Sequence, residues 1–174
     1  MGTIFTLSDD IKNLAHAAFT DLINELGKRC RLVFPPKMAP CANCVIDPIG
    51  NKSSNRYVNG GPAPFPMGSI CPACGGRGRI ATENSRDIIL LVNENPKQFD
   101  NSLKLNNANI YYPDGTIQTK GFIRDLPDVL KCTEMIKDLS IQPYIEYRYK
   151  RYGEPLSPGN IVQGAFFVCL WTRV

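Results

Sequence analysis

The sequence predicts a mainly β protein with helices. In this α+β arrangement a small β-barrel or sandwich carries an N-terminal helix, a second helix near residues 125–139 and a loop insertion clipped by four cysteines. Three observations lead there. Short runs rich in β-branched and aromatic residues recur along the chain, bounded by Gly, Pro, Asn and Asp. Only two stretches place apolar residues at helical spacing. The turn-rich stretch 35–80 contains two CxxC pairs, CANC and CPAC.

The first helix is expected over residues 8–26. Ile11, Leu14, Ala15, Ala18, Leu22, Ile23 and Leu26 form one stripe at helical spacing. Ser8 stands at the N-cap position, Asp9 and Asp10 suit the positive end of the helix dipole, and Gly27 is a natural stop. The only histidine, His16, falls just off that stripe and reads as a surface or boundary residue.

A short strand at 29–34 (RCRLVF) ends at Pro35 and Pro36, which cannot donate to a sheet ladder. Residues 86–93 (RDIILLVN) form an apolar strand, and residues 109–112 and 115–122 read as strands paired around Tyr112–Pro113–Asp114–Gly115. The second helix, 125–139, takes Asp125 as its cap and Pro127 in its first turn, with Leu126, Val129, Leu130, Thr133 and Ile136 on one face. Residues 144–152 (YIEYRYKRY) alternate as a half-buried strand, GEPLSPGN is a turn cluster, and 165–174 (AFFVCLWTRV) is the last strand.

With 174 residues, 43% hydrophobic and 21% charged, the chain reads as one globular domain, 1–174, with 35–80 as a zinc-bound insertion inside it. The net charge of +4 is mild and lacks the basic tract of a dedicated nucleic-acid binder. No apolar stretch approaches the roughly 20 residues that span a bilayer, so no membrane role is expected. The N-terminal residues lack the layout of a secretory signal, and seven cysteines with four in CxxC spacing suit a reducing compartment where thiols remain available for metal.

Cys41, Cys44, Cys71 and Cys74 are the candidate metal ligands. A CxxC turn sets two sulfurs on one side of a tight knuckle, and two such knuckles complete the tetrahedron that Zn²⁺ prefers. Gly75, Gly76 and Gly78 let the second knuckle fold back so that amides face the thiolates. The spacer exceeds the usual zinc-ribbon length of about 15–20 residues, which leaves room for a hairpin between the knuckles. Four thiolates leave no position for water, so the expected Zn²⁺ is structural. A thioredoxin-like couple at CPAC is disfavoured, because GGRGR would break the helix that should follow it. Cys30, Cys132 and Cys169 read as small buried hydrophobes.

No catalytic constellation emerges, and the chain is not expected to be an enzyme. A single histidine gives no triad or cluster, and GGRGRI lacks the GK[ST] of a phosphate loop. Asp47, Asp87, Asp114, Asp125 and Asp128 fall in predicted turns and caps, where carboxylates serve the backbone.

Two resemblances add to this reading. CPACGGRG matches one CxxCxGxG unit of DnaJ-type zinc domains, although CANCVIDP lacks both glycines and no HPD-bearing hairpin occurs. Over most of its length the chain resembles tailed-phage neck proteins, the head-closure or stopper and adaptor type of head–tail connector. The matching elements are the SS…Y…GGPxPF…CPxCGGxG core and the GxIQTKG segment followed by DLP and a helix. That resemblance implies a virion protein of the neck, assembled in the host cytoplasm as a homo-oligomeric ring of six or twelve subunits. It further implies portal or adaptor and tail proteins as partners, and non-specific contact with the packaged DNA that the ring retains. The rival reading, from another class, is a zinc-ribbon nucleic-acid-binding accessory protein whose basic face includes Lys52, Arg56, Arg77 and Arg79.

Overall fold

A computed structural model of the chain describes residues 8–99, 112–137, 146–156 and 165–174. It divides into two compact units, one formed by Met1–Phe34 with Ser85–Val174 and the other by Pro35–Asn84.

The first unit is mainly β, a closed barrel of six antiparallel strands with two helices. Helix α1 (Asp9–Leu26) leads into β1 (Lys28–Val33), and the other barrel strands are β6 (Ser85–Asn93), β7 (Ile117–Phe122), β8 (Glu134–Lys137), β9 (Tyr147–Leu156) and β10 (Phe166–Arg173). Their order around the barrel is β1-β6-β7-β10-β9-β8, and pairing of Leu32 with Met135 closes it. Closure leaves no unpaired edge among these strands. Alternation sends Cys30, Leu32, Ile88, Leu90, Phe167, Cys169 and Trp171 into one packed interior. Each large side chain buried there contributes about 1.5–3 kcal/mol of transfer free energy.

Strand β10 is apolar on both faces for a physical reason. Phe167, Cys169 and Trp171 fill the barrel, while Phe166, on the outer face, meets the rings of Phe19 and His16 from α1, each at 5.2 Å. Gly121 on β7 makes room for this packing: a Cβ there would stand 2.6 Å from Leu90 and 2.8 Å from the Phe167 ring.

Helix α1 corrects the expected stripe. It packs through Phe19 and the fully buried Ile23, whereas Ile11, Leu14, Ala18, Leu22 and Leu26 are exposed, Leu14 by 72%. The apolar arc is wider than the surface the barrel covers. Ser8 stands at the N-cap without a side-chain hydrogen bond, and Gly27 closes the helix through its N–H to the Ile23 carbonyl.

The second helix is shorter than its periodicity suggested. Helix α2 covers Leu126–Lys131, Cys132 turns to extended geometry, and Glu134–Lys137 is the strand β8. Thr133 donates from both its backbone N–H and its hydroxyl to the Val33 carbonyl, and β8 then pairs with β1 and β9. Ile136, expected on a helix face, belongs to the strand that closes the barrel. Those ladder bonds outweigh local helix propensity. Asp125 takes the N-cap position of α2, yet its carboxylate accepts from Arg86 at 3.1 Å instead of capping. The first four residues of the turn cluster expected at GEPLSPGN belong instead to β9, which continues to Leu156, and the rest of the cluster lies outside the described residues. The expected strand at 109–112 lies outside the described residues apart from Tyr112; β7 pairs with β6 and β10.

The second unit holds two small antiparallel sheets. Strand β2 (Lys37–Pro40) pairs with β5 (Arg79–Thr82), and β3 (Cys44–Ile46) pairs with β4 (Ser53–Tyr57) as a hairpin between the two cysteine pairs. Its buried centre is not an apolar core but the four cysteines, with Phe65 and Ile80 packed against them.

Candidate metal centre

Each cysteine of the two CxxC pairs is placed by a strand end or a tight turn. Cys41 follows β2, and its N–H donates to the Gly78 carbonyl at 2.9 Å, which fastens the first knuckle to the second. Cys44 opens β3, opposite Tyr57 across the hairpin. The hairpin turn is held by Asp47, whose carboxylate accepts from the amides of Ile49 at 3.1 Å and Gly50 at 3.0 Å.

In the second knuckle the Gly75 N–H returns to the Cys71 carbonyl at 2.9 Å, and the Gly78 N–H points at the Cys74 sulfur at 3.3 Å. Gly78 has φ +70°, and a Cβ there would meet the Lys52 carbonyl carbon at 2.7 Å and the Ser53 nitrogen at 2.8 Å. Both the left-handed backbone and the close approach demand glycine.

The result is a cluster of Cys41, Cys44, Cys71 and Cys74, all buried, whose sulfurs lie within 4.8 Å of one another. The Cys41–Cys71 and Cys44–Cys74 sulfur separations are 3.9 and 3.7 Å. Four sulfurs at tetrahedral corners about 2.3 Å from a central Zn²⁺ stand about 3.8 Å apart. The donor set therefore fits a four-coordinate metal ion, and none of the four is in a disulfide. Among the described residues no other group of three or more His, Cys, Asp or Glu side chains is arranged to hold a metal.

The surroundings treat the four thiols unequally. Burial raises Cys41, and burial raises Cys44 to about 12 against the opposing hydrogen bond of Ser53. Burial also acts on Cys71, but there hydrogen bonds from the Asn43 side chain and the amides of Cys74 and Ala73 prevail and lower it to about 6. Cys71 is thus the first of these three to become the thiolate that a metal requires.

Sequence reasoning missed Asn43. Its side chain is fully buried; Nδ2 donates to the Cys71 sulfur at 3.4 Å and to the Ala63 carbonyl at 2.8 Å, while Oδ1 accepts from the Ala63 N–H at 2.8 Å. The GGPAPF segment is thereby laid over the cysteines. Tyr57 adds a hydroxyl bond to the Gly61 carbonyl at 2.8 Å and an edge-on contact with Phe65 at 5.9 Å. A Cβ on Gly61 would stand 2.7 Å from Asn43 Oδ1, so the second glycine of GGP is a packing requirement. Sequence offered no signal for Asn43 beyond its place between Cys41 and Cys44.

The remaining candidates separate. Cys30 and Cys169 are buried in the barrel core and Cys132 is half-buried at the end of α2. His16 lies on α1 against Phe166. Lys52, Arg56, Arg77 and Arg79 are exposed on the unit that holds the four cysteines. No helix among the described residues is long and apolar enough to cross a membrane. Comparison of the chain with protein-family models, curated proteins and solved structures found no match.

Proposed function

We propose that the chain is a non-enzymatic, ring-forming structural subunit of a tailed-phage head–tail connector, with Cys41, Cys44, Cys71 and Cys74 holding one structural Zn²⁺. The ring joins head to tail and retains packaged DNA. The observation that carries the assembly role is the exposed apolar face of α1 on a barrel whose six strands leave no edge to pair. With the barrel strands all paired, association through the first unit would draw on such a face. The connector assignment itself is supported by the sequence likeness in the cysteine core and the GxIQTKG segment.

Zinc is favoured by the donors. Four soft thiolates at tetrahedral separations suit Zn²⁺, and with no ligand position left for water the ion serves as a fastener. It gives Pro35–Asn84 a centre that its few apolar residues do not provide.

Light scattering combined with negative-stain imaging of the purified protein tests the ring, and elemental analysis tests the metal at about one zinc per chain. A monomer at high concentration that associates with neither portal nor tail proteins overturns the first. A folded, zinc-free chain with four titratable thiols overturns the second. The rival reading, a zinc-ribbon nucleic-acid-binding protein, draws on the exposed Lys52, Arg56, Arg77 and Arg79 and requires a salt-sensitive shift of DNA.

A further inference from the structure

The two units carry exposed surfaces of opposite charge, each with apolar residues at its centre. On α1 the exposed stripe of Ile11, Leu14, Leu22 and Leu26 is flanked, on the side remote from Phe19 and Ile23, by Asp10, Asp21 and Glu25 at helical spacing. Among the described residues these three carboxylates have no cationic partner, and the only Lys or Arg of the helix, Lys12, is paired with Asp9 at 2.9 Å.

The metal-bearing unit is the reverse. It contains five Lys and Arg residues and two acids, one of which, Asp47, is occupied by its own turn. Lys52, Arg77 and Arg79 gather at one edge: Ser53 N–H donates to the Gly76 carbonyl at 3.1 Å, Gly78 lies against the Lys52 backbone, and Arg79 reaches Asn51 at 3.3 Å. Among the described residues none of the three forms an ion pair, whereas on the barrel Arg31, Arg86 and Arg148 all do. Ile49, 93% exposed in the same hairpin turn, and Ile70, lying over Gly76, add apolar surface to that edge.

We infer that the acidic apolar face of α1 in one subunit docks on the basic apolar edge of the metal-bearing unit, around Lys52, Arg77 and Arg79, in a second copy of the chain. Two α1 faces repel each other, so a symmetric helix-to-helix dimer is disfavoured. A contact between two different surfaces propagates head to tail, and it closes into a ring when the rotation per subunit allows. Closure rests on the ring-subunit reading above; the pairing of surfaces rests on the complementarity alone. A phosphate backbone would satisfy the three cations but offers nothing to Ile49 and Ile70.

Charge reversal tests this on the full zinc-loaded chain. K52E/R77E/R79E makes both surfaces acidic, and D10K/D21K/E25K makes both basic. Each variant alone is expected to associate at least about a hundredfold more weakly than the wild type, from like-charge juxtaposition. An equimolar mixture is expected to regain assembly in sedimentation velocity, with the two variants alternating, which also shows that both are folded. Assembly of either variant alone at wild-type strength, or failure of two zinc-loaded variants to assemble when mixed, overturns the inference while leaving the ring reading intact. So does a K52E/R77E/R79E variant that loses duplex-DNA binding but still self-associates. A monomeric wild type overturns both readings together.

Discussion

Asn43, which lies between Cys41 and Cys44 in sequence, donates from one amide nitrogen both to the sulfur of Cys71 in the opposite knuckle at 3.4 Å and to the carbonyl of Ala63 at 2.8 Å. One side chain thus ties a candidate metal ligand to the segment that covers it. Outer-shell bonds of this kind orient ligands and temper the charge on sulfur.

Replacing Asn43 by Ala removes all three bonds and leaves the Ala63 N–H and carbonyl without their partner. We expect metal affinity to fall about 10- to 100-fold, as for other outer-shell losses. Competition with a calibrated chelator reads the affinity, and amide exchange at residues 61–66 reads the release of the covering segment. Unchanged values for both would show that Asn43 only fills space.

The unequal thiols set a pH dependence for metal binding. Metal displaces protons, so affinity must fall as pH falls. Near neutral pH Cys71, lowered to about 6, is already largely ionised, while Cys41 and Cys44 are held protonated by burial and release protons as the metal binds. Below about 6 Cys71 is protonated too, and the slope of log affinity against pH steepens by about one further proton. Chelator competition across this range checks it; a slope that does not change near pH 6 contradicts the ordering.

The barrel contains a polar contact that can be isolated. The indole N–H of Trp171, the only tryptophan, donates to the Thr119 hydroxyl at 2.8 Å in a fully buried site. Thr119→Val keeps the shape but strands the indole donor, at a cost of about 1–3 kcal/mol. The fluorescence of that single tryptophan reports both the altered environment and the loss of stability in denaturant.

Much of this was legible in the sequence, and the exceptions have physical causes. Barrel strands β1, β6, β7, β9 and β10 were visible because turn formers and β-branched runs mark them locally. Strand β8 was hidden because LKCTEMIKDL has helical periodicity, and only the ladders to β1 and β9 make Met135 and Ile136 extended. The four cysteines declared their grouping through CxxC spacing, since a short knuckle needs little else to form. The amide of Asn43 gave no such signal, because its partners Cys71 and Ala63 are distant in sequence. The stripe on α1 was plain, but a helical pattern does not say how much of an apolar arc its neighbour covers. Here Ile23 is covered and Leu14 is not.

Acid should weaken the barrel through Asp87. Its carboxylate accepts from Nε of Arg31, its register partner across the β1–β6 pair, at 2.9 Å, and from Arg29 at 3.0 Å. The Arg31 hydrogen bond, opposed by burial and joined by the charges of Arg31 and Arg29, holds the Asp87 pKa below its ordinary value. A depressed pKa in the folded state contributes stability that is fully present above the unfolded value of about 4 and is lost as pH falls through the folded one. Because Arg29 and Arg31 are substantially exposed, solvent screening limits the contribution to about 0.5–1 kcal/mol. Asp87→Asn should therefore lower stability by about that amount at pH 7, and the difference from the wild type should shrink toward zero as pH falls below about 4. Denaturant titrations of both proteins at pH 7 and at pH 3 measure it, with added salt reducing the pH 7 difference. A difference that is the same at both pH values would assign the effect of Asp87 to packing rather than to charge.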